Sequence, residues 1–514
     1  MKRMCLMALI AIIAVGAWAA GRPEDPAAAD ERPVITWFTP LVGVEARLMD
    51  SLAEMEAYRV ASEKLGIEVE YIHASDQAAE LNLLVASGDY PDLITSNWFG
   101  YAGGIERAYH DGVIIDLKPH IEAGKTPHFA GLLDSVPGLR EGMLNDTGQI
   151  LAFRRYEPGA ADRPFRGFVI REDWLEAVGR TSPSTIEEWH DTLMAFRDAG
   201  LGERAPFIGR QGEQNWLRFA SAWGVTHHES FQLDPQDPES GRVVYGRATD
   251  GYRDFLATML DWLDKGLIDA EDLIIDEATL RRRWANSEAG AAYHAISFFA
   301  APRDALLAAN PDAEMIGVGI PIGHAGRPYR DRYFGRITVQ GQQNTVSTTA
   351  RHLDAVLTWA DFWYSEEGSV LADWGIEGKS FVEENGEKRY IVSQDEVHRW
   401  AKSDYGTARL MDVQASYANY TDHQIEVDRV WTEEPRADNS IFLPDVLSFT
   451  PEESRTLARL LGDIETYTDE TVFQFLFGER PLSDWDAYVA QLKRMGLDEV
   501  TAIYQASWER YQQR

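Results

Sequence analysis

Apolar positions recur along this chain in two periods. Residues 34–38, "VITWF", form a short apolar run of strand length. Over 46–66, Leu48, Leu52, Met55 and Val60 return near one helical face, and Gly66 supplies a stop. "IEVEYIHA" at 67–74 alternates as a strand does, "QAAELNLLVASG" at 77–88 reads as a helix closed by glycine, and "DLIT" at 92–95 reads as a strand. Strands and helices in that alternating order predict a parallel sheet with helices on its faces.

Farther along, "GQILAFRRY" (148–156) is extended, and "RGFVIREDWLEAV" (166–178) is a strand running into a helix. The helix predicted within 181–200 has Ser184 or Thr185 as N-cap, acids in its first turn and a closing Gly200. Helical spacing returns at 250–268, at 352–375 and from Pro451 onward, with a break near "GERPLSDW", whereas about 395–450 reads as coil. No fixed-period repeat is present. A chain of 514 residues exceeds one ordinary core, so two domains are expected.

The start of the chain bears on compartment. Lys2 and Arg3 precede the apolar run "CLMALIAIIAV", and Ala17 and Ala19 flank Trp18 in an A-x-A pattern. This predicts a secretory signal peptide over 1–20, followed by a flexible Pro/Ala/charged leader at 21–32. Cys5, the only cysteine, lies before the cleavage site, so the mature chain is expected to hold no thiol, disulfide or thiolate metal site. A lipoprotein cysteine after the apolar run is missing, which favours a free periplasmic or extracellular form.

Charge then removes whole classes of partner. The formal net charge is −34, and loss of Lys2 and Arg3 with the leader makes it two units more negative. Nucleic acid and anionic membrane surfaces are not expected partners. Motifs remove further classes. "GVGIPIG" (317–323) lacks the third glycine of a dinucleotide site, and "GKS" (378–380) lacks the upstream glycine of a phosphate loop. H-E-x-x-H and G-x-S-x-G are absent, and His227–His228 lack a third ligand in view. Neither catalysis nor a cofactor is expected, although paired carboxylates for sugar hydrolysis meet in space and leave no motif. Asn145 and Asn419 each begin a glycosylation sequon.

Aromatic chemistry remains. Sixteen tryptophans are a heavy load. Flat rings stack on the C–H faces of sugars while planar polar groups hold their edges. Trp37, Asn97, Trp98, Tyr101, Trp216, Trp223, Tyr293 and Trp374 fall at strand ends or in loops and are the candidate ligand contacts; Trp174, Trp189, Trp262 and Trp363 lie in helical patterns and suit the core. Replacing Trp98 with alanine is expected to cost ligand affinity more than stability.

Five segments in order carry a resemblance: "LNLLVASGDYPDLI" (81–94), "GQILAFRRY", "IREDWLEAVG" with "PSTIEEWHDTLMAF" (170–196), "DWGIEGKSFVEENGEKRY" (373–390) and "GERPLSDWDAYVAQLKRMGLDEVTAIYQASWERY" (478–511). On these the chain resembles the extracellular solute-binding proteins of family 1, the sugar-binding proteins of ABC importers, and among them the long LplA-like lipoprotein subgroup. More distantly it is similar to maltose-binding proteins. The resemblance implies a type II periplasmic-binding fold: two hinge-linked α/β lobes with the ligand cleft between them. It divides the chain into a first lobe of 33–158 plus 293–334 and a second of 159–292 plus 335–514. It sets Trp98 at a sugar-contacting aromatic, Asn97 where a carboxylate is replaced, Tyr156 and Glu157 at the first crossing and Tyr293 at the second. It implies an oligosaccharide ligand, ABC permease subunits as partners and a monomer; the alternatives are a peptide- or lipid-binding member of the same fold and, after it, a secreted polysaccharide hydrolase or lyase. A calcium loop of some subgroup members is not matched by "FRDAGLGERAPFIG" (196–209), so no metal is expected.

Overall fold

The computed structural model of the protein describes residues 32–514, apart from 75–76, 99–100, 102–103, 160–163, 165, 213–214, 227–229, 297–299, 331–342, 402–406, 419, 434–436 and 445–446. The signal peptide, the leader up to residue 31, His227–His228 and the Asn419 sequon therefore lie outside the described residues.

Strands are numbered in chain order: β1 Val34–Phe38, β2 Glu68–Ile72, β3 Leu93–Ser96, β4 Arg166–Arg171, β5 Phe207–Ile208, β6 Phe231–Leu233, β7 Val243–Tyr245, β8 Ala291–Ala295, β9 Met315–Val318, β10 Gln343–Val346, β11 Phe381–Glu384 and β12 Glu387–Tyr390. Two four-stranded sheets organise the chain, ordered β10-β3-β1-β2 and β5-β8-β4-β9. β1 runs parallel to β2 and β3, as the alternating strand–helix order predicts. β10, far along the chain, adds antiparallel to β3. Helices cover both sheets, and separate apolar cores form around Trp37 and around Phe168. This is the expected two-lobe α/β architecture.

The lobe boundaries differ from the expected ones. β8 and β9 flank β4 in the second sheet, so 291–318 belongs to the second lobe. β10 and the helix Leu353–Phe362 build the first sheet and its core, so 343 to about 410 belongs to the first. The chain crosses between sheets near 157–165, 319–342 and 411–421. "GAAYHAISF" looked like a crossing because its small residues weaken the strand signal. Small residues are needed there: a Cβ on Gly290 would meet the Trp174 ring at 2.1 Å. The stretch 395–450 is not coil either. It holds the helix Asp422–Glu433, which buries Val427 and Trp431 against the second sheet.

Local signals account for most of the elements. Thr185 caps the helix Ile186–Asp198 in a full capping box with Glu188. The long region 352–375 is two helices, because Ser365 caps a fresh start at Glu366. Trp174, Trp189, Trp262 and Trp363 are all buried, as their helical spacing predicted.

A polar tie joins the lobes far from the crossings. Asp146, in a loop of the first lobe, pairs with Arg510 in the last helix, Leu497–Tyr511, and with Arg514 just after it, and Arg510 also pairs with Glu453 at 2.7 Å. Burial alone would raise the Asp146 carboxyl, but hydrogen bonds from Arg514 and Arg510 outweigh it and hold it below the ordinary 3.8. An acid with a lowered native pKa favours the fold above its ordinary value, and that contribution is lost as pH falls through the native value. Urea midpoints of the wild type and Asp146→Asn are therefore expected to differ at about pH 6 and to converge towards about pH 2.

Candidate ligand-binding site

The second sheet ends, on the side where the chain crosses between lobes, in a small depression lined by residues of β4, β8 and β9. Phe168 of β4 forms its floor, with Tyr293 of β8 and Val318 of β9 as its direct neighbours in register. The Phe168 and Tyr293 rings meet edge to face at 5.0 Å. Trp431, from the helix Asp422–Glu433, closes one wall and donates its indole N–H to the Phe168 carbonyl at 2.8 Å. That wall stands so close to β4 that only glycine fits beneath it: a Cβ on Gly167 would lie 2.4 Å from the Trp431 ring.

Three guanidinium groups complete the lining. Arg166 opens β4, Arg218 and Ser221 come from the 3-10 helix Trp216–Trp223, and Arg330 comes from the second crossing. Arg218 and Arg330 are buried, and the Arg218 guanidinium lies 5.9 Å from the Tyr293 ring centre. No Asp or Glu is among the described lining residues.

The first lobe offers a smaller cluster at the end of β3. Trp98 has φ of +60°, a left-handed conformation that is costly for a bulky residue and that gathers at ligand sites. Its side chain is buried edge-on to Tyr101, yet its indole N–H has no hydrogen-bond partner among the described residues. The buried Oε1 of Gln343, opposite Ser96 across β3 and β10, also has none. Two such orphans within three residues of one strand end suit an incoming polar ligand. Tyr101 is committed to Asp111 at 2.7 Å; burial first, then that bond, pushes its phenol up to about 12.

Of the ten sequence candidates, only Tyr293 lines the depression. Asn97, Trp98 and Tyr101 form the first-lobe cluster. Tyr156 and Glu157 lie half-buried at the first crossing, where the Tyr156 backbone bonds Arg409 and Met411. Three tryptophans are corrected to core roles, each with its indole N–H bonded to a protein oxygen. Trp37 donates to Thr95 at 2.7 Å among Tyr58, Tyr71 and Trp359; Trp216 donates to the Asp269 carbonyl at 3.1 Å; Trp374 donates to Asp412 at 2.8 Å. Trp223 packs in the second core against Phe255 and stacks on His324, next to the lining without joining it. Standing at a strand end did not decide which way these rings point.

Trp431, Arg166, Arg218 and Arg330 escaped the sequence reading. Trp431 sat in a stretch read as coil, and single arginines carry no motif; only the spacing of Val427 and Trp431 on one helical face could have signalled burial.

No family model matches the chain. The fructooligosaccharide ABC transporter substrate-binding protein FusA of Streptococcus pneumoniae is 22% identical over 481 residues, covering 87% of this chain and 85% of that protein. The polygalacturonan/rhamnogalacturonan-binding protein YtcQ of Bacillus subtilis is 18% identical over 98% of both chains. This chain is a homologue of ABC-importer substrate-binding proteins. Solved structures agree on the fold of this homologue. An extracellular solute-binding protein from Bifidobacterium longum subsp. infantis superposes with a TM-score of 0.75 at 21% identity, covering 94% of this chain and 99% of the other. The alginate-binding protein AlgQ2 gives 0.73 at 18% identity over 94% and 99%. The likeness to substrate-binding proteins therefore extends over most of the chain and not only over the five segments that carried the resemblance.

Burial of Trp98 changes what alanine would do there, since Trp→Ala in a core costs about 3–5 kcal/mol. Phenylalanine is the milder probe: it keeps a six-membered ring and removes the pyrrole half of the indole with its orphan N–H. Trp98→Phe is expected to cost less stability than Trp98→Ala, because it leaves a smaller cavity, while weakening ligand binding, measured by chemical denaturation and calorimetry. Unchanged affinity would remove Trp98 from the site.

Proposed function

We propose that the protein captures an oligosaccharide outside the cytoplasmic membrane and delivers it, unaltered, to the membrane subunits of an ABC importer. The observation that carries this reading is the depression itself. Phe168 and Tyr293 on one face of the second sheet and Trp431 on the other line it together with three arginines, aromatic and planar polar groups of the kinds that hold a sugar's C–H face and polar edge. The binding activities named for FusA, YtcQ and AlgQ2 support the same class. Asn97, Trp98 and Gln343 supply contacts from the first lobe, with Tyr156 and Glu157 at the crossing. Closure of the lobes about the three crossings then encloses the ligand. The protein works as a monomer without a cofactor, and cleavage of the leader frees it into the periplasm or the medium.

A glycan panel tests this by thermal shift, because a ligand that binds only the folded state raises its melting point. Concentration-dependent shifts with oligosaccharides, and intact ligand recovered afterwards, are expected. Stabilisation by peptides alone would refute the ligand class, and release of shortened products would refute a purely receptor role.

A further inference from the structure

We propose that the tie around Asp146 is a brake on closure: it holds the cleft open and must part before the lobes close on a ligand. This rests on lobe closure as part of the capture reading and specifies what regulates it.

Position along one segment sets the direction of the effect. Asp146 precedes the extended stretch that ends at the first crossing. In that stretch the Ile150 carbonyl accepts from the Leu117 backbone at 2.8 Å, Phe153 pairs with Asn344, and Tyr156 pairs with Leu410. Asn344 follows Gln343, which opposes Ser96 at the β3 end that leads to Trp98. Ile114, three residues before Leu117, pairs with Ser347 past the other end of β10. The stretch therefore runs towards the candidate site, and six residues of extended chain, about 20 Å, separate Ile150 from Tyr156. Asp146 lies beyond Ile150, at the end away from the site. Lobes that turn about the crossings tighten contacts on the site side and part those on the far side.

The chemistry of the tie suits a contact that breaks and re-forms. Asp146 pairs with Arg510 and Arg514, its backbone N–H donates to Ser448 Oγ at 2.9 Å, and Arg514 donates to the Leu144 carbonyl. Polar groups take up water when they part, whereas apolar ones resist parting. The Asp146 and Arg514 side chains are 13% and 11% exposed, which spares them much of the screening that weakens surface pairs. Beside them the first-lobe helix Gly104–His110 approaches the second-lobe helix Pro451–Leu476, and Glu106 lies within electrostatic reach of both Asp146 and Arg514. Closure costs these contacts, so part of a ligand's interaction energy goes into breaking them, and a weaker tie leaves more of it as affinity.

The test combines small-angle scattering of the ligand-free mature protein with calorimetry. The probes are a fructose-based tetrasaccharide and a galacturonate tetramer, the classes named for FusA and YtcQ. Asp146→Asn and Arg510→Gln both lie outside the candidate site, and two variants guard against one failing to fold. Each is expected to lower the radius of gyration of the ligand-free protein. Each should also tighten binding of whichever saccharide the wild type binds by about threefold or more, although its urea midpoint falls. A lower midpoint with radius and affinity unchanged would make the tie a fixed brace and overturn the inference. A larger radius with weaker binding would make it a clasp that favours closure, and overturns the inference as well. A smaller radius with neither saccharide bound leaves the brake standing and counts against the capture reading alone. An unchanged radius with neither bound counts against both.

Discussion

Replacing Gly167 with alanine is expected to abolish ligand binding and to destabilise the second lobe by about 1–3 kcal/mol, the usual cost of overpacking. The added Cβ would stand 2.4–2.6 Å from three atoms of the Trp431 indole, which cannot be tolerated without movement. Two anchors oppose that movement. The indole N–H is held by the Phe168 carbonyl, and the helix that carries Trp431 packs Val427 within 3.1–3.3 Å of where a Gly317 Cβ would lie. Trp431 would therefore shift outward over the depression or drag its helix off the sheet. In either case the aromatic wall is lost. Denaturation curves and calorimetry read the two effects separately. A variant that binds normally would show that the wall is not part of the site.

Replacing Asp373 with alanine is expected to destabilise the first lobe by about 3–5 kcal/mol, the cost of leaving a buried charge without its partner. Asp373 and Arg409 are each 1% exposed and meet at 2.9 Å. The second Asp373 oxygen accepts from the Asp412 backbone at 2.6 Å. The pair sits behind the first crossing, since the Arg409 carbonyl accepts from the Tyr156 backbone at 2.8 Å. Its loss should also loosen the hinge, giving faster proteolysis near 157–165 at urea concentrations where the wild type resists. The double variant Asp373→Leu/Arg409→Met should recover much of the stability, because an apolar pair of similar volume avoids the desolvation cost.

Local physics was legible in the sequence and long-range pairing was not. The β1, β2 and β3 segments, the Thr185 cap and the buried helical tryptophans follow from period and capping, which neighbouring residues decide. The lobe boundaries depend on which sheet β8 and β10 join, and nothing near 291 or 343 encodes that choice. The site shows the same divide. Tyr293 was named because the resemblance set it at the second crossing; that crossing lies elsewhere, and Tyr293 reaches the lining because β8 pairs with β4. Trp37 was named for its place at a strand end, but a strand has two faces and its ring points to the core. The three arginines converge from β4, a 3-10 helix and a crossing, so no linear pattern joins them.

The interleaving of the lobes also has a kinetic consequence. Thr95 hydrogen-bonds Asn344, 249 residues away, and Tyr58 meets Thr407, 349 residues away. The first sheet cannot be completed until most of the chain is available, and loop closure over such separations is slow. Acquisition of the native state is therefore expected to lag well behind synthesis. For the export that the N-terminal sequence predicts, the same tardiness is useful: it keeps the polypeptide threadable until it has crossed.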